Sequence, residues 1–213
     1  PISSLPHLTM ESAFKKGQGV PDFVLMSSLD ETATWENIKV RFNQDVIYTY
    51  IGDVVISMNP YKNIDIYTPQ IMQDYAGVYK FEKDPHIYAL ANDAYRFMVQ
   101  RQENQCIIIS GESGAGKTQA TKIIMNYIAK VSSTAKGATK DVKELLLKSN
   151  PLLEAFGNAT TLRNDNSSRF GKYMEIQFDG AGAPVGGRLL NYLLEKSRVV
   201  VAGKGERSFH IFY

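Results

Sequence analysis

The residues best placed to do chemistry are Gly111-Glu112-Ser113-Gly114-Ala115-Gly116-Lys117-Thr118, which fit the pattern G-x-x-x-x-G-K-[ST]. Glycines at these positions let the backbone curl until successive N–H groups point inward at phosphate oxygens. Lys117 is then expected to reach the β- and γ-phosphates of a nucleotide, and Thr118 to offer its hydroxyl to Mg²⁺. A glycine-rich turn matches this pattern by chance fewer than roughly 0.01 times in a chain of this size, with glycine near its usual abundance. The pattern states a nucleoside triphosphate. By itself it states neither the base nor hydrolysis. Those require a base pocket and a second loop that senses the γ-phosphate.

Asn164-Asp165-Asn166-Ser167-Ser168-Arg169-Phe170-Gly171-Lys172 is the candidate for that second loop, a dense polar stretch running directly into a strand. Taken alone it reads equally as an ordinary polar turn.

The elements that must hold these loops are legible in part. Cys106 to Ser110 reads as a short buried strand before the phosphate loop, and Lys117 to about Val131 as a helix after it, whose N-terminal dipole faces the anion. Two β-rich runs, Val46–Ile51 and Val54–Met58, are joined by Gly52-Asp53 and predict a tight hairpin. Thr68-Pro69 opens a helix over Gln70–Tyr79, and Asp84-Pro85 repeats the device before Ile87, Leu90, Ala91, Ala94, Phe97 and Met98 recur at helical spacing through Gln102. Asp141–Lys148 and Pro151–Phe156 read as helical, with Gly157 as the stop. Phe170–Phe178 reads as a strand and Asp179–Gly187 as a glycine-rich connection. Arg188–Ala202 is ambiguous, since Leu189-Leu190 with Leu193-Leu194 suits a helix and Val199-Val200-Val201 suits a strand. The first twenty residues read as an irregular lead-in, and Ser132–Lys140 as a surface loop. Strands mixed with helices indicate the α/β class, and no internal boundary between domains stands out.

Composition narrows the setting. The chain has 213 residues, 24 Lys plus Arg and 22 Asp plus Glu, for a net charge of +2. That near balance argues against a nucleic-acid binder. The single cysteine, Cys106, allows no intrachain disulfide and fits a reducing compartment. His7, His86 and His210 lie far apart, and no Cys/His cluster has zinc spacing. No apolar run approaches the ~18 residues of a membrane span, and no signal-peptide pattern opens the chain. A soluble intracellular segment without membrane contact is expected.

Taken together, the strings resemble the motor domain of myosins. The resemblance rests on GESGAGKT at 111–118, NDNSSRFGKY at 164–173, NPYK at 59–62, LEAFGNA at 153–159 and NYLLEKSRV at 191–199, and it covers nearly everything after Val20. It implies an α/β fold of the P-loop NTPase type, a mixed sheet with flanking helices. It implies an actin-activated Mg-ATPase with ATP and Mg²⁺ as its nucleotide and metal, working in the cytoplasm at the actin cytoskeleton and cell cortex. Asn59, Pro60, Tyr61, Lys62 and Tyr67 match the purine-binding loop, so by resemblance they line the adenine side. Asn164–Arg169 match switch I. Ser168 is then the second hydroxyl on Mg²⁺ opposite Thr118, Asn164 and Ser167 touch phosphates and help to position the attacking water, and Ser113 sits near the γ-phosphate. In the family, the arginine matching Arg169 pairs with a switch II glutamate in a D-x-x-G-F-E string. One D-x-x-G string here, Asp179-Gly180-Ala181-Gly182, lacks the following Phe-Glu and is expected to begin a hairpin turn instead.

About twenty residues precede Val20-Pro21-Asp22-Phe23, too few for the small barrel that some myosins carry there, so a class I, short-tailed myosin is the nearest likeness. The chain is expected to be the N-terminal part, residues 1–213, of one motor domain, cut between switch I and switch II inside the apolar run that ends Phe212-Tyr213. Switch II, converter and lever arm then lie elsewhere, as do most of the actin-binding surface and the sites for calmodulin-type light chains. The strand at Gln105–Ser110 is expected to lack its neighbours when this piece stands alone. A non-hydrolysing nucleotide-binding module and a small-molecule kinase are the alternative readings.

Overall fold

A computed structural model describes residues 17–132 and 149–213. The expectations for 1–16 and for the loop and helix at 133–148 lie outside them. Contacts divide the chain into two compact units, Pro1–Asp93 and Ala94–Tyr213.

In the first unit, helix α1 spans Glu31–Phe42 and was not anticipated from the sequence. Asp30 caps it by accepting from Ala33 N at 2.8 Å and is itself bonded by Ser28 Oγ. Its buried residues are polar, Asn37 and Arg41, which is why apolar periodicity missed it. Asn37 exchanges two hydrogen bonds with the backbone of Val20. Arg41 donates to Thr49 Oγ1 and to the Tyr48 carbonyl, both at 2.9 Å. Strands β1 (Tyr48–Ile51) and β2 (Val54–Ser57) form the expected hairpin, with Gly52 at φ 58 in the turn. Helix α2 covers Pro69–Tyr75, capped by Thr68 as expected but ending four residues sooner.

Helix α3 runs from Ile87 to Arg101. Its cap is His86, and not Asp84 as the Asp-Pro pair suggested: Tyr88 N donates to His86 Nδ1 at 3.0 Å. With Nδ1 accepting, Nε2 carries the ring proton and donates to the Ile66 carbonyl at 3.0 Å. The ring is packed among Tyr48, Tyr67, Tyr75 and Tyr88. Burial pushes its pKa down to about 4, against the partial support of the Ile66 bond.

In the second unit, helix α4 spans Lys117–Ser132, close to the expected Lys117 to about Val131, and buries Ile123, Ile124, Met125 and Tyr127. Helix α5 is described over 149–157. Two short strands, β3 (Asn158–Ala159) and β4 (Ser167–Ser168), pair antiparallel. Strand β5 (Gly171–Phe178) pairs antiparallel with β6 (Pro184–Tyr192). The turn between them contains Asp179, whose Oδ1 accepts from Ala181 N at 2.9 Å and Ala183 N at 2.8 Å, so this aspartate is spent on a hairpin, as expected of the incomplete D-x-x-G string. Tyr95, from the second half of α3, donates to the Gly182 carbonyl at 2.8 Å and closes the turn.

One expectation is corrected and one ambiguity is resolved. The connection after Asp179 is shorter than expected, because β6 already begins at Pro184. Leu189-Leu190 lie on that strand and not on a helix, since cross-strand pairing with Met174 and Tyr173 outweighs their helical spacing. Val199-Val200-Val201 form no strand, and a 3₁₀ turn covers Lys196–Val199. The sheet also differs. Among the described residues there are three separate two-stranded antiparallel ladders. Residues 102–110 join none of them, and Ile108 is 86% exposed, so the expected buried strand is unpaired. A strand needs a partner for its N–H and C=O groups, and no described segment supplies one. No helix among the described residues is long and apolar enough to cross a membrane.

Candidate functional site

The phosphate loop lies between the unpaired segment 102–110 and α4. Gly111, Gly114 and Gly116 have φ of 156, 82 and 94. A Cβ at Gly116 would meet nothing within 4 Å, so glycine is required there by conformation and not by space. Ala120 N donates to the Gly116 carbonyl at 2.8 Å, so the helix is already wound at the loop's end. Its first N–H groups and its positive dipole end face the loop.

Lys117 folds back on this loop. Its Nζ donates to the Gly111 carbonyl at 2.6 Å and to the Glu112 carbonyl at 2.7 Å. A cation held only by neutral carbonyls exchanges them readily for a charged phosphate oxygen. Glu112 forms an exposed ion pair with Arg163 at 3.1 Å, whose energetic weight is small.

The second loop closes against the first. Ser113 Oγ and Ser167 Oγ are 2.9 Å apart, across 54 residues of sequence. A Cβ placed on Gly114 would lie 3.8 Å from the Arg163 carbonyl and 3.9 Å from Asn164 Cβ, so the two loops are in van der Waals range. Ser167 is buried and Ser168 is exposed, as the alternation of a strand requires. Asn164 is occupied within its own loop: its Oδ1 accepts from Asn166 N at 3.0 Å, and its backbone trades bonds with Thr161. Asn166 Oδ1 in turn accepts from Asn158 Nδ2 at 2.9 Å and is 3.1 Å from His210 Nε2.

Lys117, Thr118 and Ser168 line one cavity of about 880 Å³ with Cys106, Ile109 and Tyr173. Among the described residues no group of three or more His, Cys, Asp or Glu is arranged to hold a metal ion. Thr118 and Ser168 supply neutral hydroxyls. Such donors suit a Mg²⁺ whose charge is balanced by phosphate oxygens and whose shell is completed by water.

Arg169 has a partner that the sequence did not reveal. Its Nε donates to Glu195 Oε2 at 2.6 Å and its Nη1 to Ser167 Oγ at 3.2 Å. Glu195 also receives Arg198 Nε at 2.7 Å on the same oxygen, and Arg198 Nη2 donates to Glu206 Oε2 at 2.8 Å. Hydrogen bonds from Arg198 and then Arg169 hold the Glu195 carboxyl below its ordinary range. Glu195, Arg198 and Glu206 were missed because they are distant in sequence from both loops. The only signal was Asn191–Val199, a string that carried the resemblance without a role.

The adenine-side candidates belong to the first unit. Asn59 Oδ1 accepts from Tyr61 N at 3.0 Å, an Asx turn that explains Tyr61 at φ 51. Pro60 lies within this turn, between Asn59 and Tyr61. The Tyr61 ring is 85% exposed, and Lys62 Nζ pairs with Asp45 at 2.5 Å. Tyr67 turns inward and shares a 2.6 Å hydroxyl contact with Tyr48, beside His86.

Comparison with known proteins shows the family. The family model for the myosin head (motor domain) matches residues 20–213. Myosin IE heavy chain of Dictyostelium discoideum is 64% identical over 198 residues, which is 93% of this chain and 20% of the relative. Unconventional myosin-Ic of Gallus gallus is 58% identical over 207 residues, 96% of this chain and 20% of the relative. Unconventional myosin-Ia of Rattus norvegicus is 57% identical over 195 residues, 92% of this chain and 23% of the relative. The chain therefore spans about a fifth of the length of these class I relatives. With a glycine-turned phosphate loop opening a helix, a serine-rich loop bonded to it, and a match over nearly the whole sequence, the chain belongs to the myosin head (motor domain) family.

Proposed function

We propose that this chain is the ATP-binding part of an actin-based motor that hydrolyses Mg-ATP. The observation that carries the reading is the 2.9 Å contact between Ser113 and Ser167, which joins the phosphate loop to the loop that would sense the γ-phosphate. The amides of residues 111–118 and the start of α4 bind the phosphates. Lys117 turns from its two carbonyls to the β- and γ-phosphates. Thr118 and Ser168 would hold Mg²⁺ through their hydroxyls. When bound, Mg²⁺ would supply positive charge to offset the charge that develops during transfer. Ser113, Asn164, Ser167 and Arg169 orient the γ-phosphate and the attacking water. Asn59, Pro60, Tyr61, Lys62 and Tyr67 serve the adenine side. Positioning and electrostatics suffice, since phosphoryl transfer asks for little covalent help.

The 213 residues supply one part of a longer head. In that head, residues 105–110 become a strand of a mixed, P-loop NTPase-type sheet. Ile108, Leu193 and Val200, which are 86%, 85% and 84% exposed, are surfaces for its other parts to cover. Actin filaments and calmodulin-type light chains bind through those other parts, and the motor works in the cytoplasm at the cortical actin cytoskeleton.

The test is phosphate release by the complete head with and without actin filaments. Stimulation by actin is expected. A phosphorylated small molecule as product would point to a kinase. The isolated 213-residue chain is expected to show no turnover, and a cooperative unfolding transition with ATP turnover would refute its dependence on the rest of the head.

A further inference from the structure

Arg169 stands at the centre of a hydrogen-bonded chain that runs out of the nucleotide loops. From the loop side, Ser113 Oγ meets Ser167 Oγ at 2.9 Å, and Ser167 Oγ accepts from Arg169 Nη1 at 3.2 Å. From the other side, Glu195 Oε2 receives Arg169 Nε at 2.6 Å. A backbone bond from Glu195 N to the Arg169 carbonyl, at 2.9 Å, fixes the two residues to each other. Glu195 is the one carboxylate paired with Arg169 among the described residues.

We propose that Glu195 is a positioning residue for ATP hydrolysis, acting through Arg169 to aim the Ser167 and Ser113 hydroxyls at the γ-phosphate. This rests on the reading of residues 111–118 and 164–169 as nucleotide loops. A guanidinium donates only, so Ser167 Oγ must accept on the side facing Arg169. That spends one of its lone pairs and restricts where its single proton and the Ser113 proton can point. Without the Glu195 carboxylate, Arg169 loses the bond that holds its Nε on this side, and the serine pair loses its fixed orientation.

The alternative role for Glu195 is to hold Arg198 within the 3₁₀ turn. Arg198 bonds Glu195 through Nε and Nη2 but has other partners as well. Arg198 also donates to Glu206 Oε2 at 2.8 Å and to the Arg207 carbonyl at 3.0 Å, and its own carbonyl accepts from Ser208 Oγ at 2.9 Å. Arg198 is 4% exposed, so it forms a fixed base from which Glu195 is presented to Arg169. The rigid side of the arrangement is thus behind Glu195, and the side that can change partners is in front of it.

The experiment compares the complete head with its Glu195→Gln, Arg169→Ala and doubly substituted forms. Binding is followed with N-methylanthraniloyl-ATP, and the hydrolysis step with radiolabelled ATP in single turnover. Glu195→Gln is expected to leave ATP affinity within about threefold while slowing hydrolysis about tenfold or more, the loss typical of one charge-assisted bond. In the Arg169→Ala background it is expected to cost nothing further. An unchanged or faster hydrolysis step, a parallel loss of affinity and rate, or the same slowing without Arg169 would overturn the proposal. If Glu195→Gln does not fold, Glu195→Asp, which keeps the charge and shortens the reach, is read by the same split. Failure of the unsubstituted head to bind the labelled ATP is a different result, and it would remove the nucleotide reading underneath.

Discussion

His86 makes stability of the first unit depend on pH in a calculable way. The ring is buried, Nδ1 accepts from Tyr88 N, and Nε2 donates to the Ile66 carbonyl, so the neutral ring is the form that fits. A second proton, on Nδ1, would face the Tyr88 N–H and end the cap on α3. The folded pKa of about 4 lies below the unfolded value of 6.5. Between these values the unfolded chain binds more protons than the folded one, so stability rises with pH there. The contribution is complete above about pH 7 and is lost as pH falls through 6.5 toward 4. Its full size is about 3 kcal/mol, and about 2 kcal/mol of that disappears between pH 7.5 and pH 5. His86→Asn keeps a capping oxygen but does not titrate. Hydrogen exchange over residues 84–92 of the complete head, corrected for intrinsic rates at each pH, measures the difference. Protection in the unsubstituted protein should fall about thirtyfold relative to His86→Asn between pH 7.5 and 5. A ratio that stays constant with pH would refute both the assigned tautomer and the burial argument. Because Ile66 and Tyr67 adjoin the proposed adenine-side loop, the same acid step should also loosen that loop.

Three further outcomes are expected. Lys117→Ala in the complete head should abolish ATP binding or hydrolysis, and unchanged turnover would remove the phosphate-loop assignment. Ser168→Ala should raise the Mg²⁺ concentration needed for half-maximal hydrolysis, while thermal unfolding shifts little because Ser168 is exposed, and an unaltered Mg²⁺ dependence would count against it as a ligand. Gly157→Ala should destabilise the second unit by about 1–3 kcal/mol, because a Cβ there would run into the Phe170 ring. A melting temperature equal to that of the unsubstituted head would show that the ring moves aside freely.

The sequence by itself determined the local devices. The Gly-Asp hairpin at 52–53, the Thr68 cap, the helix from Lys117 and the aspartate at 179 each depend on residues within a few positions of one another, and each formed as read. The glycines at 111, 114 and 116 are of the same kind, since their positive φ values act on their own backbone. Ambiguities and misses arose where partners are distant. Leu189-Leu190 carried helical spacing, yet the strand at 171–178 claimed them. Helix α1 escaped notice because it buries Asn37 and Arg41, whose partners Val20, Tyr48 and Thr49 lie elsewhere in the chain. His86, and not Asp84, caps α3 because burial among four tyrosines fixes its ring.

Only the tertiary structure decided what faces the candidate site. The meeting of Ser113 with Ser167 spans 54 residues, and that of Arg169 with Glu195 spans 26. No periodicity or turn chemistry encodes such pairings. They follow from where β3–β4 and the turn after β6 bring the backbone, and a charged side chain then takes the nearest opposite charge that burial permits. Sequence therefore specified which residues can do the chemistry, and the fold specified which of them hold one another in place.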